Sequence, residues 1–204
     1  RTKLLYGLST PWVFIFFGFS VFSLLEEKIL INIFLSVFGA FYFSFWKKAY
    51  VSYFHEAAHY NLSKSRKIND TIATVFLTPF VGLWINSYRL HHWEHHEHLG
   101  EDGDTETSYV TPINLKNLFQ SLFIVYLIKT VLRYSFVAQV TERRKTKHGS
   151  LIKFFSGVGL MLVCQGMIAV ALFKFVNGYL AATWLFSMVI TDPFLEKLRQ
   201  TLEH

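Results

Sequence analysis

A single cysteine, Cys164, in 204 residues excludes a disulfide framework and a thiolate metal site, so any metal must be held by nitrogen and oxygen ligands. Cys164 lies inside an apolar run, and cysteine usage says nothing about the compartment. Charge is scarce as well. Charged residues make up 17% of the chain against 52% hydrophobic and 18% aromatic, with 22 phenylalanines, a balance that excludes an ordinary soluble domain. No Pro/Gly/Ser-rich linker, low-complexity run or internal repeat divides the sequence, which predicts one domain over residues 1–204. The net charge of +6 is not arranged as an aromatic-studded basic stripe. The basic residues sit instead at the edges of apolar segments, so nucleic acid is excluded as a partner and a positive-inside membrane topology is expected.

Residues 4–25, LLYGLSTPWVFIFFGFSVFSLL, carry no charge, and at about 1.5 Å per residue they are long enough to cross a hydrocarbon core of ~30 Å. They lack the short apolar core and small-residue cleavage site of a signal peptide, so a transmembrane helix is predicted. Glu26, Glu27 and Lys28 predict a tight turn, and Ile29 to Trp46 a second span that closes a hairpin. Arg1 and Lys3 before it and Lys47 and Lys48 after it place both hairpin ends in the cytoplasm. Residues 71–88 are uncharged too, but Pro79 and Gly82 interrupt them, which predicts a re-entrant or interfacial segment. Residues 115–140 carry Lys116, Lys129 and Arg133 within an apolar pattern and predict a helix on the membrane surface. A basic loop from Glu142 to Lys147 follows, then a second hairpin of residues 154–173 and 175–191 turning through Lys174, Asn177 and Gly178. The expected fold is all-α and integral to a membrane. It has about four transmembrane helices in two hairpins, interfacial helices and a cytoplasmic histidine-rich cap. Starting at Arg1 rather than Met and breaking off at His204, the sequence is expected to be incomplete at both ends.

Histidine is what the chain has in excess. Of its nine, His55 and His59 fall in HEAAH, and His91, His92, His95, His96 and His98 crowd into HHWEHHEH. Imidazoles four residues apart stack on one face of a helix and can grip one metal or a pair. His92 precedes His95 and His96 by about one turn, and neighbours on a helix point about 100° apart, so His95 and His96 can address two different ions. His148, alone in the basic loop, reads as a solvated surface residue, and His91 and His98 as surface or outer residues.

HEAAH by itself also matches the zinc-protease pattern HExxH, in which Glu56 would be the general base. Such a site needs only one further ligand, and the histidines of the second stretch are surplus to it. Imidazole suits iron, zinc and copper alike, so ligand type leaves the metal open. Metal buffering without catalysis is a third possibility at this level.

Taken together, HEAAHYNLS, the Pro-interrupted apolar segment and YRLHHWEHHEHLGEDGDTE resemble the integral-membrane fatty acid desaturase and hydroxylase superfamily, over roughly residues 40–204. The resemblance implies a non-haem diiron centre of two Fe ions on the cytoplasmic side of, in a bacterium, the inner membrane. It implies His55, His59, His92, His95 and His96 as ligands. The ending LRQTLEH resembles an Arg-x-x-x-Glu-His segment of bacterial members and adds His204. The third histidine box of that superfamily does not follow within these residues. Asp102, Asp104, Glu106 and Glu56 are candidates to orient ligand imidazoles, and Asn86 and Arg89 are positioning candidates. The implied activity is oxygen-dependent desaturation of a membrane lipid or acyl chain, hydrogen being removed from an unactivated methylene with O2 as co-substrate. Related lipid or carotenoid hydroxylases and ketolases remain open. Nothing here resembles a flavin, haem or iron–sulfur site, so electrons must come from an external donor, a ferredoxin or a b-type cytochrome.

Overall fold

The computed structural model describes residues 2–23, 29–99, 101, 120 and 150–202, and every regular element among them is helical. The predicted turn at 26–28, the surface helix at 115–140 apart from Gln120, the loop at 142–147, Asp102, Asp104, Glu106, His148 and His204 lie outside the described residues.

Helices α1 (Thr2–Ser23) and α2 (Ile29–Ala58) run antiparallel. Trp12 meets Tyr50 with ring centroids 6.3 Å apart, Phe14 stacks on Trp46 at 3.9 Å, and the Tyr42 hydroxyl donates to the Phe14 carbonyl at 2.6 Å. The 30-residue α2 continues well past its apolar part and ends inside HEAAH, as expected of a chain without proline or glycine between Phe41 and Ala58.

The interrupted segment resolves into α3 (Arg66–Ile72), a widened π turn at Ala73–Leu77 and a short α4 (Thr78–Val81), after which α5 (Ile85–Glu97) leaves at 83°. Two residues mark the break. Pro79 brings no N–H to the helix ladder, and Gly82 closes α4 at φ 76°, a left-handed conformation that costs glycine little. The Thr78 hydroxyl bridges this break, donating to the Leu83 carbonyl at 3.0 Å.

Helix α6 (Ser150–Phe175) is followed at once by α7 (Gly178–Phe186), whose N-cap Asn177 accepts from the Leu180 N–H at 2.7 Å. A second π turn, Ser187–Thr191, leads into α8 (Asp192–Leu202). Among the described residues, Phe155–Phe175 is the one helix long and apolar enough to cross a membrane, while α1 supplies a shorter apolar helix, Ser9–Gly18. Large apolar rings face outward, with Phe34 71%, Phe173 67% and Phe175 85% exposed, a surface suited to hydrocarbon rather than water.

Helix α2 threads two cores. Towards its start, Phe43 packs with Ile15, Ala169, Leu172, Leu180, Ala181 and Trp184. Towards its end, Tyr50, Phe54, Ala57 and Ala58 pack with Leu62, Ala73, Leu77 and Ile85, which sets the two histidine-bearing helices side by side. Helix α6 docks on the break of α4 by close backbone approach, since a Cβ on Gly157 would lie 2.5 Å from the Gly82 carbonyl oxygen. Gln165 Nε2 donates to the Pro79 carbonyl at 2.9 Å from the same helix.

Candidate metal centre

The end of α2 presents His55, with His59 just past its last residue Ala58, and the C-terminal half of α5 presents His92 and His96, each pair four residues apart. The two faces meet. One ligand-capable atom from each of the four residues lies within 4.8 Å of all the others. His92 is the hub: its Nε2 is 3.0 Å from Nε2 of His59 and 3.0 Å from Nε2 of His96. The His92 ring is buried and stacked on Tyr88 at 5.2 Å, His55 and His59 are half-buried, and His96 is exposed.

A single imidazole nitrogen carries either one hydrogen or one lone pair, so two such contacts to one Nε2 do not both make well-formed N–H···N bonds. A cation shared by the three lone pairs satisfies all of them. The donor set therefore fits a metal ion held by imidazoles. Burial and the adjoining imidazoles of His92, His55 and His96 lower the His59 pKa below its ordinary value, which keeps the ring neutral and its lone pair free for an ion at neutral pH.

His95 does not join the four. Its ring lies 5.7 Å from that of His96 and 6.2 Å from that of His92, in a buried position. The reason is helical phase, because His92 and His96 share a face while His95 is turned away from it by roughly 60° to 100°. His98 Nδ1 lies 3.7 Å from Glu101, apart from the cluster. Glu56 has Oε2 hydrogen-bonded by Asn61 Nδ2 at 2.7 Å and Oε1 3.5 Å from His55 Nδ1. The Asn61 bond, ahead of the neighbouring histidines and against partial burial, lowers its pKa.

The elements bearing the histidines are joined by a polar clasp centred on Arg89, one turn before His92. The guanidinium donates from Nε to the Ala58 carbonyl at 3.1 Å and from Nη2 to the Ala57 carbonyl at 3.1 Å, the carbonyls at the open end of α2. Its other edge grips Asp70 Oδ1 at 2.6 Å and Asp70 Oδ2 at 3.3 Å, with Asn86 Oδ1 at 3.0 Å. Buried Asn69 adds Nδ2 to the Ala57 carbonyl at 2.9 Å and receives the Leu62 N–H at 3.2 Å. Tyr60, at φ 60° just after α2, lies under the guanidinium at 3.9 Å. Burial would raise the Asp70 carboxyl, but bonds from Arg89 and Asn69 outweigh it and hold the carboxyl below the ordinary carboxylate range. Arg89 stood out in the sequence by its place beside the second histidine stretch. Asn69, Asp70, Tyr60 and Tyr88 carried no such signal, since nothing in their spacing marks them.

No curated protein and no solved structure matches the chain. The fatty acid desaturase family model matches residues 30–204, which takes in α2 with HEAAH, the broken segment, α5 with its histidines and helices α6 to α8. With that match over most of its length and its two histidine stretches folded against each other, the chain belongs to the fatty acid desaturase family.

Proposed function

We propose that the chain works as an oxygen-dependent membrane acyl-lipid desaturase whose clustered imidazoles hold the iron of a non-haem diiron centre. The convergence of His59 and His96 on His92 Nε2 supports this most strongly. A redox metal with O2 would supply the oxidising power that no side chain has, for removal of hydrogen from an unactivated methylene. The protein's own part is placement. His55, His59, His92 and His96 form one face of the centre, His95 addresses a second position from the buried side of α5, and His204 is an additional ligand. Burial and the adjoining imidazoles keep His59 neutral, and the packed aromatic layer of Tyr50, Phe54 and Tyr88 beside the cluster excludes water.

In the membrane, α1 and α2 form one hairpin and α6 with residues 175–191 the other, four spans whose cytoplasmic ends carry the site, in the inner membrane of a bacterium. A ferredoxin or b-type cytochrome docking on the basic cytoplasmic face delivers the electrons. A zinc peptidase reading needs Glu56 turned towards a metal-bound water. In this structure Glu56 Oε2 instead accepts from Asn61 Nδ2 at 2.7 Å.

The test is expression of the chain in a host of known lipid composition, followed by mass spectrometry of its acyl chains. Products lighter by two hydrogens, absent from a His92→Ala strain, are expected. Products gaining one oxygen would replace desaturation by hydroxylation, and zinc with peptidase activity lost in Glu56→Gln would overturn the oxidoreductase reading.

A further inference from the structure

We infer that Arg89 is a positioning residue for the metal centre, its planar guanidinium fixing the separation and rotation of the two histidine pairs. The inference rests on the reading of the four imidazoles as a metal site. Arg89 touches no imidazole of the cluster in the contacts described above; it acts through backbone.

Two independent rigid bodies must agree to within a fraction of an ångström for His59 and His92 to share an ion. His59 directly follows Ala58, whose carbonyl receives Nε of Arg89, and His92 lies three residues beyond Arg89 on α5. The guanidinium is thus wedged between the end of one ligand helix and the body of the other. Its own orientation is fixed from three sides, by both oxygens of Asp70 on α3, by Asn86 on α5 and by the ring of Tyr60 beneath it. Only 7% of the residue is exposed.

The chemistry of the clasp selects arginine. Two backbone carbonyls and a bidentate carboxylate lie around one plane, and a guanidinium offers five N–H donors fixed in that plane. A lysine ammonium has the charge but three donors about one point, so it can hold Asp70 or the α2 carbonyls but not both edges. The positive charge also faces the negative end of the α2 dipole, which keeps the terminal turn wound at the point where His55 and His59 emerge. In addition, Tyr60 is held in the left-handed region that disfavours a side chain, and the stacked guanidinium helps retain it there.

The experiment is cobalt(II) titration of the full chain in detergent, wild type against Arg89→Lys and Arg89→Ala, read by visible d–d absorption and by bound metal after desalting. Helical circular dichroism of the metal-free proteins serves as the structural control. With helix content unchanged, Arg89→Lys is expected to bind cobalt roughly 10–100-fold more weakly and with altered band positions, the effect usual for lost outer partners of ligand histidines. Methylguanidinium added to Arg89→Ala should restore most of the affinity, while methylammonium at the same concentration should not. Wild-type affinity and spectrum in Arg89→Lys would overturn the inference. If Arg89→Ala does not fold, the Arg89→Lys titration alone decides. Wild type failing to bind cobalt would instead overturn the metal-centre reading itself, a distinguishable result.

Discussion

His92 carries more of the centre than its neighbours because both of its close contacts run through one nitrogen, Nε2. Replacing it by alanine removes the shared vertex of the cluster. His92→Ala is therefore expected to bring bound iron close to zero, whereas His95→Ala, off the four-imidazole group, should retain at least part of it; elemental analysis of the purified variants distinguishes the two. Equal loss in both would mean that the two positions are not separable as the geometry has them. At this scale the sequence was informative where chemistry repeats. Two histidines at helical spacing, twice over, announced that imidazoles would meet. What spacing did not reveal was which of His92, His95 and His96 would face α2, because that depends on the rotation of α5 about its axis. Packing of Ile85 and Tyr88 against α2 sets that rotation, and neither residue carries a chemical signature of it.

At the level of elements, α2, α3 and α5 are held at their junction by charge as well as by apolar packing. The Asp70 pKa is held below its ordinary 3.8 by Arg89 and Asn69. A carboxyl lowered in the folded state contributes stability that is fully present above the unfolded pKa and fades as pH falls through the folded one. The thermal midpoint of the metal-free chain should accordingly drop as pH goes below about 4, and Asp70→Asn should lower it at neutral pH while flattening that dependence. An unchanged slope in Asp70→Asn would assign acid sensitivity to other groups. The contact of α6 with α4 gives a second prediction at this scale. Gly157→Ala drives a methyl against the Gly82 carbonyl and should cost about 1–3 kcal/mol, while Gly159→Ala and Gly166→Ala, with nothing within 4 Å, should be neutral or stabilising in thermal unfolding. The helices themselves were readable from uncharged runs and from the breaks at Pro79 and Gly82. The two π turns were not, because a π turn leaves composition unchanged and only shifts phase.

Across the whole molecule, α2 and the last helical region are joined by Lys47, whose ammonium lies 2.7 Å from Asp192 and 2.9 Å from Ser187 Oγ, over the ring of Trp184. Lys48 and Glu196 repeat the link at 3.1 Å nearer the surface. Removing one member of a buried pair strands the other, so Lys47→Met alone is expected to destabilise by about 3–5 kcal/mol, and Lys47→Met with Asp192→Leu by much less. Denaturant unfolding of the single and double variants measures this; equal losses would show that the pair is not coupled. Both acids on α8 reach α2 only after the widened turn Ser187–Thr191, where Thr191 and Ser187 also bond to α2. Such a turn holds one residue more than the regular helix would. Deleting one residue there would close the turn to regular pitch and leave both carboxylates in phase with their lysines, whereas deleting one within α7 would carry everything beyond it round by about 100°. Tolerance of length change is thus unevenly distributed along this stretch of helix.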